Sequence, residues 1–160
     1  MVVLRNWQKQ IINDFPAIVK QHRRFILKAP TGAGKTILAS EIVEQFYKGK
    51  KILVLCHRLV LLEQLQKALS VRHSVHKLSV SEDGKAFDGY DILLSTNMRA
   101  KDVLEEAIKM ADLIIVDEAH RVSPNGTGYK KIIDDFENEG KTGAQFMGLT
   151  ASPERRTGDQ

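Results

Sequence analysis

The chain has 160 residues, of which 42% are hydrophobic and 28% are charged, as expected for one globular domain whose core needs no disulfide or metal. Its single cysteine, Cys56, leaves no internal disulfide and no cysteine-based zinc site. No apolar run approaches the roughly 18 residues that a membrane helix needs, and the amino terminus lacks a signal-peptide pattern. We therefore expect a cytoplasmic or nucleoid-associated protein without membrane contact.

Charge is unevenly distributed along the chain. Residues 1–80 carry 14 lysines and arginines against 4 acidic residues, whereas residues 81–160 carry 10 against 16. A basic amino-terminal half is compatible with a polyanionic partner such as nucleic acid. A merely solvated surface explains the asymmetry about as well.

The hydrophobic spacing predicts strands that alternate with helices. Helices are expected at about 4–19, 35–47, 57–69, 101–110 and 129–138, and strands at about 25–28, 51–56, 74–79, 90–95, 112–117 and 145–150. In the first helix, Trp7, Ile11 and Phe15 are expected to face the core, and Pro16 is expected to disturb the middle. Such alternation is typical of an α/β fold with a mostly parallel sheet covered by helices.

Residues 29–36 (Ala-Pro-Thr-Gly-Ala-Gly-Lys-Thr) stand between a predicted strand and a predicted helix, where a phosphate-binding loop belongs. The glycines let backbone N–H groups approach phosphate oxygens, and the positive end of the following helix favours the anion. Lys35 can reach the β and γ phosphates, and the Thr36 hydroxyl can bind Mg²⁺. The strict pattern has glycine at position 29, and the alternative is a plain glycine turn. The candidate nucleotide-binding residues are Pro30, Thr31, Gly32, Ala33, Gly34, Lys35 and Thr36.

Residues 117–120 (Asp-Glu-Ala-His) follow the most strand-like stretch of the chain. Ligands collect at the carboxyl ends of parallel strands, so this tetrad and the loop can face one crevice. Asp117 can then hold the Mg²⁺ that Thr36 also binds, and Glu118 can orient or deprotonate an attacking water. The alternative is that these carboxylates only cap a helix.

With these two motifs in place, the chain resembles the superfamily 2 helicases and translocases. Residues 29–36 are similar to motif I of that superfamily, residues 117–120 to the DEAH box of motif II, and residues 150–152 to motif III. Residues 4–8 (Leu-Arg-Asn-Trp-Gln) resemble the adenine-reading Q motif, which makes Gln8 a candidate base contact. These motifs occur in the order and spacing of the superfamily.

Further segments of the resemblance concern nucleic acid. Residues 55–64 are similar to motif Ia, and they look most like the restriction-type and repair-type DNA helicases. The resemblance implies that Arg58 and Thr96 contact the nucleic-acid backbone, and it favours DNA over RNA. It also implies a set of residues that couple nucleotide state to nucleic-acid grip: His120, Thr150 and Ser152, the last standing where the superfamily usually has threonine.

The resemblance implies a three-layer RecA-like P-loop NTPase domain over residues 1–153, with the start of a linker at 154–160. The implied cofactors are ATP and Mg²⁺, and the implied partners are nucleic acid and a second RecA-like domain, in cis or in trans, that supplies an arginine finger. Because such a finger contributes about 10³ to 10⁵ in rate, the isolated domain is expected to be weakly active or inactive.

Three alternatives remain open at this stage. One is a non-enzymatic module that binds nucleic acid or a partner under nucleotide control, and another is an RNA helicase domain. The third is a small-molecule kinase, which residues 117–120 and 150–152 disfavour. His73 and His76 suggest a metal site, but without a third ligand we expect no metal role for them.

Overall fold

The structure is a computed structural model, and it describes residues 4–29, 32–56, 59–71, 74–77, 87, 90–96, 101–117 and 127–151. The helices of this part are α1 (Asn6–Gln21), α2 (Gly32–Phe46), α3 (Leu59–Ser70), α4 (Lys101–Met110) and α5 (Thr127–Glu139), and its strands are β1 (Arg24–Ala29), β2 (Ile52–Cys56), β3 (Val75–Lys77), β4 (Ile92–Thr96), β5 (Leu113–Asp117) and β6 (Gln145–Ala151). Every predicted helix and strand is present, with ends shifted by a few residues. The predicted loop at 81–89 lies outside the described residues except at Phe87.

The strands form one sheet in the order β1-β6-β5-β2-β4-β3, and each described pairing is parallel. Strands buried on both faces need apolar side chains, which is why β2 and the first four residues of β5 form continuous apolar runs. Because all strands run the same way, their last residues share one edge, here called the carboxyl edge. Their first residues share the opposite edge, called the amino edge. The predicted α/β class is confirmed.

Side chains alternate between two cores, one on each face of the sheet. On the first face, α1, α2 and α3 pack through Ile12, Phe15, Leu38, Ile42, Leu65 and Leu69 onto Leu27, Val54, Ile115 and Leu149. On the second face, α4 and α5 pack through Ala107, Ile108, Ile132 and Phe136 onto Leu53, Leu55, Ile114 and Phe146. Helices therefore cover both faces, and the three-layer arrangement expected from the resemblance is present. No described helix is both long enough and apolar enough to cross a bilayer.

The buried side of α1 differs in detail from the prediction. Phe15 is buried as expected and stacks on Phe46, with ring centroids 4.9 Å apart. Ile12 is also buried, whereas Trp7 and Ile11 are only partly buried and pack at the border of the same core. The hydrophobic stripe is thus rotated slightly around the helix relative to the predicted one.

Proline does not interrupt α1. The helix runs from Asn6 to Gln21 through Pro16, so the predicted disturbance is wrong. Proline removes one backbone donor, but Pro16 is exposed, where water can replace a lost backbone hydrogen bond. Gly49 lies three residues after Phe46, the last residue of α2, and has a positive φ of 78° that glycine tolerates.

At the amino edge, Asp112 joins three neighbouring segments. Its Oδ2 accepts a hydrogen bond of 2.9 Å from the Lys51 backbone N–H, and its Oδ1 accepts one of 2.7 Å from Lys141 Nζ. Its own N–H donates to the Lys51 carbonyl at 2.7 Å. Burial alone would raise the pKa of the Asp112 carboxyl, but the hydrogen bonds from Lys141 and Lys51 and the nearby charges of Lys141 and Lys50 hold it below its ordinary value.

Candidate functional site

The strand and the helix predicted on either side of the glycine-containing loop are present. β1 ends at Ala29, α2 begins at Gly32, and both lie at the carboxyl edge of the sheet. The first N–H groups of a helix have no partner within the helix, and they lie at its positive end. The start of α2 can therefore bind an anion. β1 pairs with β6 along its whole length, so the sheet fixes the point at which this strand ends.

Lys35 and Asp117 lie together inside the protein. Lys35 Nζ is 3.1 Å from Asp117 Oδ1, and the two side chains are 3% and 6% exposed. Lys35 belongs to the first turn of α2 and Asp117 is the last residue of β5, so this ion pair joins the two predicted motifs. Removing either charge from water alone is costly, and the buried charges are tolerated because they are paired.

Gln8 also reaches the start of α2. Its Oε1 accepts a hydrogen bond of 2.7 Å from the Arg5 backbone N–H, and its Nε2 donates one of 3.1 Å to the Gly34 carbonyl. The whole residue is only 1% exposed. The structure therefore brings Gln8, Gly34, Lys35 and Asp117 into one region at the carboxyl edge.

Trp7 is a neighbour of this region that the sequence reasoning assigned only to the core. A Cβ added at Gly34 would lie 2.4 Å from Trp7 Cζ2 and 2.9 Å from Cη2, so the indole lies against the backbone of α2. Two features of the sequence could have indicated this contact. Trp7 and Gln8 are adjacent, and Gly34 has no side chain to keep another group away from its backbone. Nothing local in the sequence says that the two segments meet.

Three further predicted site residues lie on elements that begin or end at the same edge. Thr36 is half-buried and directly follows Lys35 on α2. Thr96 is the last residue of β4 and is in register with Cys56, the last residue of β2. Thr150 is buried on β6, in register with Lys28 of β1.

The remaining predicted site residues lie outside the described part of the chain, so their roles stay predictions. They are Pro30, Thr31, Arg58, Glu118, His120 and Ser152. The same is true of His73 and of the predicted linker at 154–160. The backbones of Gly32 and Ala33 form the first residues of α2.

The domain has a parallel sheet between two helical layers, and a buried lysine at the start of α2 is paired with an aspartate at the end of β5. This arrangement is that of a P-loop nucleotide-binding domain. The protein family described as "Type III restriction enzyme, res subunit" matches residues 1–155. The chain belongs to this family.

Individual proteins that are similar to this chain are consistent with its membership of this family. Over 93% of its length, the chain is 31% identical to a Type I restriction enzyme EcoAI endonuclease subunit of Escherichia coli. The fold is similar to the Sulfolobus solfataricus SWI2/SNF2 ATPase core in complex with dsDNA, with a TM-score of 0.68, 21% identity and 95% of this chain covered. It is also similar to the UvsW helicase from bacteriophage T4, with a TM-score of 0.62, 19% identity and 93% covered.

The chain spans only part of these proteins: 19% of the E. coli subunit and 32% and 52% of the two solved chains. The family match covers almost the whole chain, and the two solved structures share its RecA-like fold. The resemblance noted from the sequence motifs is confirmed. Members of this family use a nucleotide.

Proposed function

We propose that this domain binds Mg·ATP at the carboxyl edge and belongs to a DNA helicase or translocase that hydrolyses ATP to ADP and phosphate. In this proposal residues 1–153 form the ATP-binding domain, and residues 154–160 begin the linker to a second RecA-like domain that completes the site. The observation that carries the proposal is the buried ion pair between Lys35 and Asp117.

The residues of this pair fit a metal-bound triphosphate. The Lys35 ammonium and the Asp117 carboxylate are buried side by side, so each has lost contacts with water and has gained the other as a partner. A ligand that enters between them must therefore offer each group a new partner. Phosphate oxygens suit Lys35, while Mg²⁺ suits Asp117 together with the hydroxyl of Thr36. When bound, Mg²⁺ neutralises phosphate charge and stabilises the charge that develops during transfer of the γ-phosphoryl group.

The other roles are assigned to residues around that pair. Glu118 follows Asp117 directly and is proposed to orient or deprotonate the attacking water. Thr150 is proposed to act with His120 and Ser152 in coupling nucleotide state to nucleic-acid grip. Its position supports this role, because β6 lies between β1, which leads into the phosphate loop, and β5, which ends at Asp117.

Nucleic acid is proposed to bind along the same edge, farther from the nucleotide. Thr96 ends β4 next to the end of β2, and Arg58 follows β2 two residues later. A hydroxyl and a guanidinium group at neighbouring strand ends suit phosphates and carry no base specificity. DNA is proposed because the E. coli relative is a restriction endonuclease subunit and the SWI2/SNF2 core binds dsDNA.

The first test is the affinity for Mg·ATP and Mg·ADP, with and without single-stranded and double-stranded DNA and RNA, over a series of salt concentrations. We expect nucleotide binding, and DNA binding that weakens steeply with salt, since each phosphate contact contributes a slope of about −0.9 on logarithmic axes for duplex DNA. Binding of RNA alone would favour the RNA helicase alternative. Nucleotide binding without nucleic-acid binding at any salt concentration would favour the binding module or the kinase.

A second test concerns Glu118. In a protein that contains both RecA-like domains, Glu118→Gln should leave Mg·ATP affinity unchanged and lower the rate of phosphate release by about 10² to 10⁴, as expected when general base catalysis is lost. Glu139→Gln, an exposed change on α5, is the matched control and should keep full activity. Turnover that persists in Glu118→Gln would show that another group activates the water.

A further inference from the structure

One residue at the amino edge, Arg23, binds the turn that leads from α5 into β6. Its Nε donates a hydrogen bond of 3.4 Å to the Ala144 carbonyl, and its Nη2 donates bonds of 3.3 and 3.2 Å to the carbonyls of Gly140 and Lys141. The central carbon of its guanidinium group lies 4.4 Å from the centroid of the Phe136 ring. The Arg23 side chain therefore contacts three carbonyls of the turn and the last turn of α5.

The backbone of Arg23 makes the hydrogen bond with which the pairing of β1 and β6 begins. Its carbonyl accepts a bond of 2.8 Å from the Phe146 N–H. From there the two strands pair residue by residue, from Arg24 with Phe146 to Ala29 with Ala151. Because this pairing is continuous, the alignment at the amino edge determines which residue of β6 lies beside the end of β1.

Hydrophobic burial alone selects the register of β6 only weakly. Residues 146–150 are all buried, because the strand lies between two helical layers. A shift by one residue would exchange the side chains between the two cores without bringing an apolar group into water. A well-satisfied set of polar contacts at the start of the strand can instead favour one arrangement.

We propose that Arg23 is a positioning residue that acts through Thr150: it holds β6 in the register that places Thr150 beside the end of β1. This inference rests on the proposed function, which assigns to Thr150 a role in coupling nucleotide state to nucleic-acid grip. Thr150 is buried and pairs with Lys28, near the other end of the same ladder. β5 also pairs with β2, so Asp117 is held independently of the turn that Arg23 binds.

The expected result is a loss of coupling without a loss of nucleotide affinity. In a protein that contains both RecA-like domains, Arg23→Ala should lower the rate of phosphate release in the presence of DNA by about tenfold, because small misplacements caused far from the chemistry reduce rates by such factors. The affinity for Mg·ATP, measured by calorimetry, should be unchanged, since Lys35 and Asp117 lie on α2 and β5.

Two control variants separate this role from a general loss of stability. Arg24→Ala removes the neighbouring guanidinium group, whose side chain pairs with Glu137 instead of the turn. Gly143→Ala strains the same turn through its φ of 88° but leaves the Arg23 side chain in place. Both should keep the wild-type rate at temperatures where they are folded. An equal loss of rate in either control, or an unchanged rate in Arg23→Ala, would overturn the proposal.

Arg23→Lys tests the proposal if Arg23→Ala fails to fold. Lysine keeps the charge but lacks the planar fork that binds several carbonyls at once, so we expect a reduced rate in the presence of DNA and unchanged affinity for Mg·ATP. A wild-type rate in Arg23→Lys would overturn the inference and leave the proposed function intact. A wild-type protein whose turnover is not stimulated by nucleic acid would overturn both.

Discussion

The two ends of β5 carry the same pair of charges in opposite settings. At the amino edge Asp112 accepts a hydrogen bond from Lys141, and the side chains are 23% and 44% exposed. At the carboxyl edge Asp117 lies beside Lys35, and the side chains are 6% and 3% exposed. The first pair is shared with a backbone N–H and is open to solvent, whereas the second is enclosed.

This difference in exposure distinguishes a pair with a structural role from the pair at the proposed ligand site. A solvent-accessible pair contributes little to stability, but Asp112 also joins β5 to the backbone before β2, so it helps set the alignment of the strands. A buried pair is weak evidence for stability, because desolvation offsets most of its attraction. The burial of Lys35 and Asp117 therefore fits the proposed nucleotide site better than a purely structural role.

Replacing the lysine of each pair should give the largest difference between the two pairs, measured as affinity for Mg·ATP. Lys35→Ala should weaken Mg·ATP binding by about 100-fold or more in calorimetry, because it removes a charge-assisted contact to phosphate. Lys141→Ala should leave that affinity unchanged, since Lys141 lies at the other end of the sheet. Unchanged affinity in Lys35→Ala would contradict the assignment of residues 29–36 as the phosphate loop.

Glycines near the two edges offer a second contrast of intermediate size. Gly34→Ala should lower the free energy of unfolding by about 1–2 kcal/mol, because the clash with Trp7 exceeds the gain in helix propensity, and it should also weaken nucleotide binding. Gly143 has open space around it but a φ of 88°, so Gly143→Ala should cost about 1 kcal/mol through the backbone alone and spare nucleotide affinity.

Chemical denaturation of both variants, followed by calorimetry with Mg·ATP, checks this prediction. Adding Trp7→Ala to Gly34→Ala should recover part of the lost stability, because the two residues are in contact and their effects should not add. If Gly34→Ala is as stable as wild type and binds nucleotide equally well, the indole does not restrict this turn.

Much of this fold follows from local sequence patterns. Residues 52–56 and 113–116 are apolar at every position, as strands buried on both faces require. The phosphate-loop motif is equally local, because its glycines, Lys35 and Thr36 lie within five consecutive residues at the start of α2. Pro16 shows the limit of such reasoning: its effect depends on whether its side of the helix faces solvent, which the packing of the whole domain decides.

The contacts that complete the candidate site are not local. Trp7 and Gln8 meet Gly34, and Lys141 meets Asp112, only after the chain has folded, so no window of the sequence contains both partners. The strand order has the same character. It places β6 between β1 and β5 although β6 comes last in the chain, and hydrophobic periodicity carries no information on that choice.

The smallest expected effect concerns the Asp112 pair and pH. The pKa of this carboxyl is lower in the folded protein than in the unfolded chain, so its contribution to stability is full above about pH 4 and is lost as the pH falls through the folded value. After allowance for solvent screening, Asp112→Asn should lower the free energy of unfolding by about 0.5–1 kcal/mol at neutral pH. Part of the interaction survives because asparagine still accepts from the Lys51 N–H.

Urea unfolding of wild type and Asp112→Asn between pH 7 and pH 3 measures this contribution. The difference between the two proteins should be constant down to about pH 4 and should then shrink, because the wild-type carboxyl becomes neutral like the amide. Asp91→Asn is the control, since its carboxylate lies 3.8 Å from Lys51 Nζ and is 41% exposed, so it should cost less. A difference that does not depend on pH would mean that Asp112 acts through the shape of its hydrogen bonds and not through its charge. The contrast between the two ends of β5 would then lie in burial alone.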